Sequence, residues 1–243
     1  IIESIPSRNH TELLLNYLGV DIQTVGKKII VPPLSNSLRN FSISIPGDPS
    51  SASFFAAAAA MIPNSDLTIK NISANPTRIG FFNILEKMGG GISWSNIRKE
   101  CGELIGDVHI YYETLHGVTI AKNEIPSLID ELPIISVMAS TAEGPTIVEG
   151  AGELRVKETD RIHAICTNLK AIGVSVVEKK DGFIIDAPNI LHNASINSFG
   201  DHRIAMAFII AGISAGNYNE IDDVECINIS FPDFFEVLNL VVK

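Results

Sequence analysis

The stretch GELRVKETDRI, residues 152–162, places six charged side chains in eleven positions of a chain that is only 19% charged. Arg155, Lys157 and Arg161 supply cations, with Glu153, Glu158 and Asp160 set among them. Alternating signs at three- and four-residue spacing suit a solvated helix face laced with ion pairs, which needs no function. The same residues also suit capture of an anion, because the planar arginine fork gives carboxylate or phosphate two charge-assisted hydrogen bonds. A second cationic group, Asp201-His202-Arg203, stands immediately before an almost wholly apolar stretch. Cations in the first turn of a helix oppose its macrodipole at a cost of about 0.3–1 kcal/mol each, so an ion pair or a bound anion should offset them. Two such turns on repeats that face one side favour a shared anion site, with Glu158 crowded enough to move protons. Asp130 heads a third apolar stretch, where it can cap a helix or act as a general base.

Repeats must position these residues. An amphipathic helix ending in apolar-Gly and running into strands recurs as HTELLLNYLGVDIQTV (10–25), TRIGFFNILEKMGGGISW (77–94) and DRIHAICTNLKAIGVSVV (160–177). Gly19, Gly89 and Gly173 are placed to end these helices in a left-handed residue. Asp181-Gly182 marks a hairpin turn in the strands that follow the third. Between these lie helices that are apolar on every side, within 48–63, 130–144 and 200–216, which must be buried on every side. Their polar starts, Asp48 and Ser50, Asp130, and Asp201 with His202, read first as caps. The expected architecture is α/β, with strand–helix–strand–helix–strand–strand units whose sheets lie outside central helices. The stretch PPLSNSLRNFSISIPG, rich in Pro, Ser and Asn, suits a boundary. It leaves residues 1–46 with the end of one unit and 47–243 with most of three.

The whole chain bounds the options. At 243 residues and 46% hydrophobic it can bury a large core, and a formal charge of −10 gives no general basic surface for nucleic acid or an anionic membrane. Cys101, Cys166 and Cys226 lie far apart without metal-ligand spacing, which points to reduced thiols and a cytoplasmic location. Phosphate-loop, dinucleotide and zinc motifs do not occur, so no metal or cofactor is expected. His163 and His192 have no partner pattern and read as structural or surface residues. The longest apolar run, 54–63, is short of the roughly 20 residues of a membrane span. The chain opens on Ile1 and reads as an entry in mid-protein, so a fragment is expected.

ELRVKETDRI, GDPSSASFFAAAAA, LEKMGG, GDHRIAMAF and SFPDFFE occur in the order and spacing of the enolpyruvyl transferases. The chain resembles that family, and within it the branch acting on shikimate 3-phosphate, over essentially all its length and over the C-terminal part of a member. The resemblance implies an inside-out α/β barrel of βαβαββ repeats in two lobes. Residues 1–46 would be the remnant of the shikimate-phosphate-binding lobe and the crossover, and 47–243 most of the phosphoenolpyruvate-side lobe. It implies transfer of enolpyruvyl from phosphoenolpyruvate to the 5-hydroxyl of shikimate 3-phosphate, with loss of phosphate, no metal, and a monomer. By motif, Asp130 resembles the base on the ring hydroxyl, Lys157 the lysine touching both substrates, and Glu158 the residue exchanging a proton with the methylene. Arg161 and Arg203 match arginines on phosphoenolpyruvate, with His202 alongside, while Ser7, His10 and Glu153 match substrate-binding positions. Where some members carry a lysine before FPDFF, this chain has Ile229 and Ser230. The family's N-terminal Lys-Ser motif and the other lobe's shikimate-binding residues are absent, so the chain alone is expected to bind phosphoenolpyruvate weakly and not to turn over. Two other readings stand beside this one: the sister enzyme acting on UDP-N-acetylglucosamine, against which RVKETDR argues, and a non-catalytic repeat protein.

Overall fold

The computed structural model describes residues 1–34, 37–38, 40–216 and 218–242, so positions 35, 36 and 39 of the expected boundary stretch lie outside the described residues. The chain opens with helix α1 (His10–Tyr17) and the antiparallel pair β1 (Gln23–Val25) and β2 (Lys28–Ile30). Three units follow. In the first, Gly47 bridges in parallel to Ile72, helix α2 (Pro49–Met61) makes the crossover to β3 (Asp66–Ser73), and α3 (Gly80–Lys87) leads to β4 (Gly91–Glu100) and β5 (Glu103–Tyr111). In the second, β6 (Thr119–Ile120), α4 (Leu132–Thr141) and the parallel β7 (Thr146–Val148) lead through α5 (Arg161–Ala171) to β8 (Ser175–Lys179) and β9 (Gly182–Asp186). The third holds β10 (Ser195–Ile196), α6 (His202–Ser214), the parallel β11 (Glu220–Ile221) and α7 (Phe234–Val241). The last strand of each complete unit inserts between the two before it, giving the orders β3-β5-β4 and β6-β7-β9-β8. The repeat read from the sequence is therefore a repeat of topology as well.

Helices α2, α4 and α6 form the interior, as sequences apolar all round require. Of the thirteen residues of α2, only Ser51 is not buried, and the run Ala56–Ala60 presents nothing larger than a methyl group. Each fully buried Phe, Leu or Ile around it contributes about 1.5–3 kcal/mol of transfer free energy. The FPDFF segment belongs to this core: Phe231 and Phe234 set their rings at 5.9 and 5.7 Å from that of Phe55, clasping the last helix to α2.

Local signals in the sequence act largely as read. Gly19, Gly89 and Gly173 have φ of +93°, +81° and +90° and each follows its helix, where a side chain would be strained. The β8–β9 hairpin differs in detail. Gly182 pairs with Lys179 and is the first residue of β9, leaving Lys180 and Asp181 as the loop. Glycine is needed there because a Cβ would lie 1.9 Å from the carbonyl oxygen of Val148 on β7, too close for any side chain.

Candidate active site

The three interior helices begin in one place, and their polar starts do different jobs. Asp48 caps α2, accepting from the Ser51 amide at 3.1 Å, and pairs with Arg78, whose guanidinium also donates to Ser50 Oγ at 3.0 Å. Asp201 caps α6, accepting from the Arg203 amide at 2.9 Å. Asp130 does not cap. It sits in a 3-10 turn, Ile129–Glu131, ahead of α4, whose first turn carries Pro133 and receives no side-chain cap. Its carboxylate is thereby free for side chains, and cations from three parts of the chain reach it.

Arg8 Nη2 donates to Asp130 Oδ2 at 2.9 Å, Arg161 Nη1 donates to Oδ1 at 3.2 Å, and Lys157 Nζ lies 3.7 Å from the same oxygen. Arg203 Nη1 donates to the Asp130 carbonyl at 3.3 Å. Arg161 is fully buried and spends its fork on acids, with Nε to Asp201 Oδ2 at 2.7 Å and Nη2 to Glu158 Oε2 at 2.5 Å. Burial alone would raise the Asp130 pKa, but Arg203, Lys157, Arg161 and Arg8 outweigh it and hold the carboxyl below its usual range. Burial, then Arg203, push His202 downward, which leaves its imidazole neutral at neutral pH, and its buried Nε2 has no hydrogen-bond partner among the described residues.

Lys157 and Arg161 converge without sharing a helix face. Gly152–Val156 is a 3-10 turn, Lys157 is extended, and α5 starts only at Arg161 because Asp160 caps it, accepting from the His163 amide at 3.0 Å. Arg155 leaves the group entirely. It donates to Asp160, to Glu178 of β8 and to the carbonyls of Lys179 and Lys180, so it fastens the charged turn to the β8–β9 hairpin and has nothing left for an anion.

The remaining candidates, Ser7, His10 and Glu153, make no hydrogen bond to Asp130 or its cations among the described residues. Ser7 Oγ donates to Glu3 at 2.9 Å, and with Lys122, Gly150 and the exposed Glu153 it lines a cavity of about 310 Å³. His10 Nδ1 lies 2.5 Å from Glu103 Oε1 and so joins α1 to β5. Sequence reasoning passed over Arg8 and Glu131. Arg8 stood between two residues that were picked out, and only its distance of 122 positions from Asp130 hid the pairing. Glu131, next to Asp130 in the chain, is buried, which raises its pKa, and Arg203 Nη1 stands 3.9 Å away.

A family model for EPSP synthase (3-phosphoshikimate 1-carboxyvinyltransferase) matches residues 1–238. The chain belongs to the EPSP synthase family. Proteins named 3-phosphoshikimate 1-carboxyvinyltransferase in Persephonella marina and Petrotoga mobilis are 42% and 44% identical over 246 and 242 residues, covering 100% and 99% of this chain and 57% and 56% of theirs. The chain thus spans a little over half the length of its EPSP synthase relatives. An EPSP synthase structure from Acinetobacter baumannii superposes with a TM-score of 0.93 at 38% identity, covering 99% of this chain and 56% of that one. The enolpyruvyl transferase NikO from Streptomyces tendae shares the fold, with a TM-score of 0.71 at 18% identity over 93% of this chain and 51% of its own. Among the described residues, no helix is long and apolar enough to cross a membrane.

Proposed function

We propose that this chain forms the phosphoenolpyruvate-binding part of a 3-phosphoshikimate 1-carboxyvinyltransferase, which moves enolpyruvyl from phosphoenolpyruvate to the 5-hydroxyl of shikimate 3-phosphate and releases phosphate. The observation that carries it is the meeting of Arg161, Arg203 and Lys157 at Asp130, drawn from the starts of two helices and the turn between β7 and α5. Arg203 and Arg161 take the carboxylate and phosphate of phosphoenolpyruvate, with the neutral His202 beside them, and Arg161, whose fork is held by Asp201, Asp130 and Glu158, must release Asp130 or Glu158 to do so. Lys157 stands between the two substrates. Ser7, His10 and Glu153 face the shikimate phosphate side. Residues 1–46 are read as the end of the lobe that carries that side, and the protein as a cytoplasmic monomer.

The chemistry needs a base on the attacking hydroxyl and an acid for the methylene carbon. Asp130 takes the hydroxyl proton as the oxygen bonds to C2 of the enolpyruvyl group, and Glu158 gives a proton to the methylene. Elimination of phosphate then returns a proton from the methyl group and restores the double bond. The cations that keep Asp130 acidic are the same cations the anionic substrates engage. Substrate binding therefore withdraws Lys157 and Arg161 from Asp130 and makes it a better base at the moment it is needed.

Replacing the matching part of the Persephonella marina protein with residues 1–243 tests the reading. Transfer to shikimate 3-phosphate and not to UDP-N-acetylglucosamine supports it. A chimera that folds but transfers to neither acceptor favours the non-catalytic alternative, in which Arg203→Gln also leaves phosphoenolpyruvate binding unchanged.

A further inference from the structure

Glu131 is a buried acid for which the reaction above has no use. Its side chain is 5% exposed, its Oε1 has no hydrogen-bond partner among the described residues, and the Arg203 guanidinium paired with it stands at 3.9 Å, beyond hydrogen-bond reach. The other acids of the cluster are better served. Asp130, Glu158 and Asp201 each accept a charge-assisted hydrogen bond from an arginine. Around Glu131 the remaining facing groups are Ser50 of α2, which hydrogen-bonds it, Arg78 ahead of α3, already held by Asp48 and Ser50, and Asp130 on its own turn.

An anion on Arg203 would take up the attraction that this poorly served carboxylate now relies on, and would place a second negative charge close to it in a water-poor interior. Like charges so placed do not both persist; one takes a proton. We propose that Glu131 is the proton site coupled to anion capture, so that an anion held by Arg203 binds together with a proton on Glu131. The inference rests on the reading of Arg203 as an anion ligand. Burial already raises the Glu131 pKa against the pull of Ser50 and Arg203, which favours that proton. The linkage has a definite sign: affinity for the anion rises as pH falls through the Glu131 pKa.

Inorganic sulfate is a suitable probe because its own charge does not change across the neutral range. Calorimetry of the 243-residue chain from weakly acidic to weakly basic pH should show sulfate binding that tightens toward acid and takes up protons. Glu131→Gln, uncharged and of the same shape, should bind on the order of tenfold tighter than wild type on the basic side, match it on the acidic side, and take up no proton through this position. Equal affinities and equal proton uptake in the two proteins overturn the coupling while leaving the anion site standing. Sulfate binding by neither protein at any pH overturns the anion site, and this inference with it. A ligand-free measurement decides independently: the Glu131 side-chain carboxyl, followed by carbon NMR, should titrate at higher pH in Arg203→Gln, and an unmoved titration rejects the coupling.

Discussion

The starts of α6 and α4 look alike in sequence, an aspartate ahead of a helix that is apolar on all sides, and they have become different objects. Asp201 is fully buried, caps its helix and accepts from the fully buried Arg161. Asp130 caps nothing, remains 15% exposed, and gathers Arg8, Lys157 and Arg161. The difference originates in the backbone. At α6 an extended Asp201 aims its carboxylate at the helix amides, whereas the 3-10 turn before α4 and Pro133 inside its first turn remove that role from Asp130. One aspartate is committed to capping its helix and the other is open to cationic side chains, and the contrast can be broken at several points.

The largest effect is expected from the buried pair. Removing Arg161 by Arg161→Met leaves Asp201 charged and without its partner in the interior, at a cost of about 3–5 kcal/mol, measured by urea unfolding. A loss under about 1 kcal/mol would show that Asp201 does not depend on it. Asp130→Asn should change stability by less than about 1 kcal/mol, because its partners Arg8 and Lys157 keep contact with water. It should also tighten sulfate binding, since four cations then face fewer acids; weaker binding would mean that Asp130 orders the cations more than it competes for them. Asp48→Ala, which removes a cap and a partner of Arg78, should cost about 1–2 kcal/mol. Arg155→Ala should cost about 1 kcal/mol and leave sulfate affinity unchanged, because Arg155 serves the hairpin. A drop in affinity would return Arg155 to the anion site.

The pH dependence of stability sharpens the same contrast between neighbours. The Asp130 pKa is depressed in the folded protein, so its contribution is present above the ordinary carboxylate range and is lost as pH falls through its folded value, below 3.8. Glu131 is shifted the other way, so its ionisation withdraws stability as pH rises from 4.5 through its raised folded value. Unfolding followed across pH should therefore show Asp130→Asn flattening the acid limb and Glu131→Gln raising stability only on the neutral side.

Much of the architecture was legible because it rests on local rules. Apolar faces of two widths separate the interior helices from the amphipathic ones, and Gly19, Gly89 and Gly173 mark ends that only the left-handed region allows. The helix starts were legible as a set, and Asp48 and Asp201 read correctly as caps. Spacing misled where the backbone was not a helix. Lys157 and Arg161 stand four positions apart, a spacing that suits one helix face, but one is extended and the other opens α5. The two meet because tertiary structure brings Asp130 to both. Arg155 illustrates the reverse: its composition suited an anion, and its partners on β8 and the hairpin loop are invisible to any local pattern. Arg8 and Glu131 were missed for the same reason, since their significance lies in contacts with residues distant in the chain.

The alanine run of α2 has a consequence that reaches beyond packing. Methyl-sized neighbours fix how near the interior helices can stand, and hence the aperture between their polar mouths. Enlarging one of these side chains would wedge the interior helices apart and displace the cations at their starts from behind, so uncharged methyl groups help to set the spacing of the charged cluster.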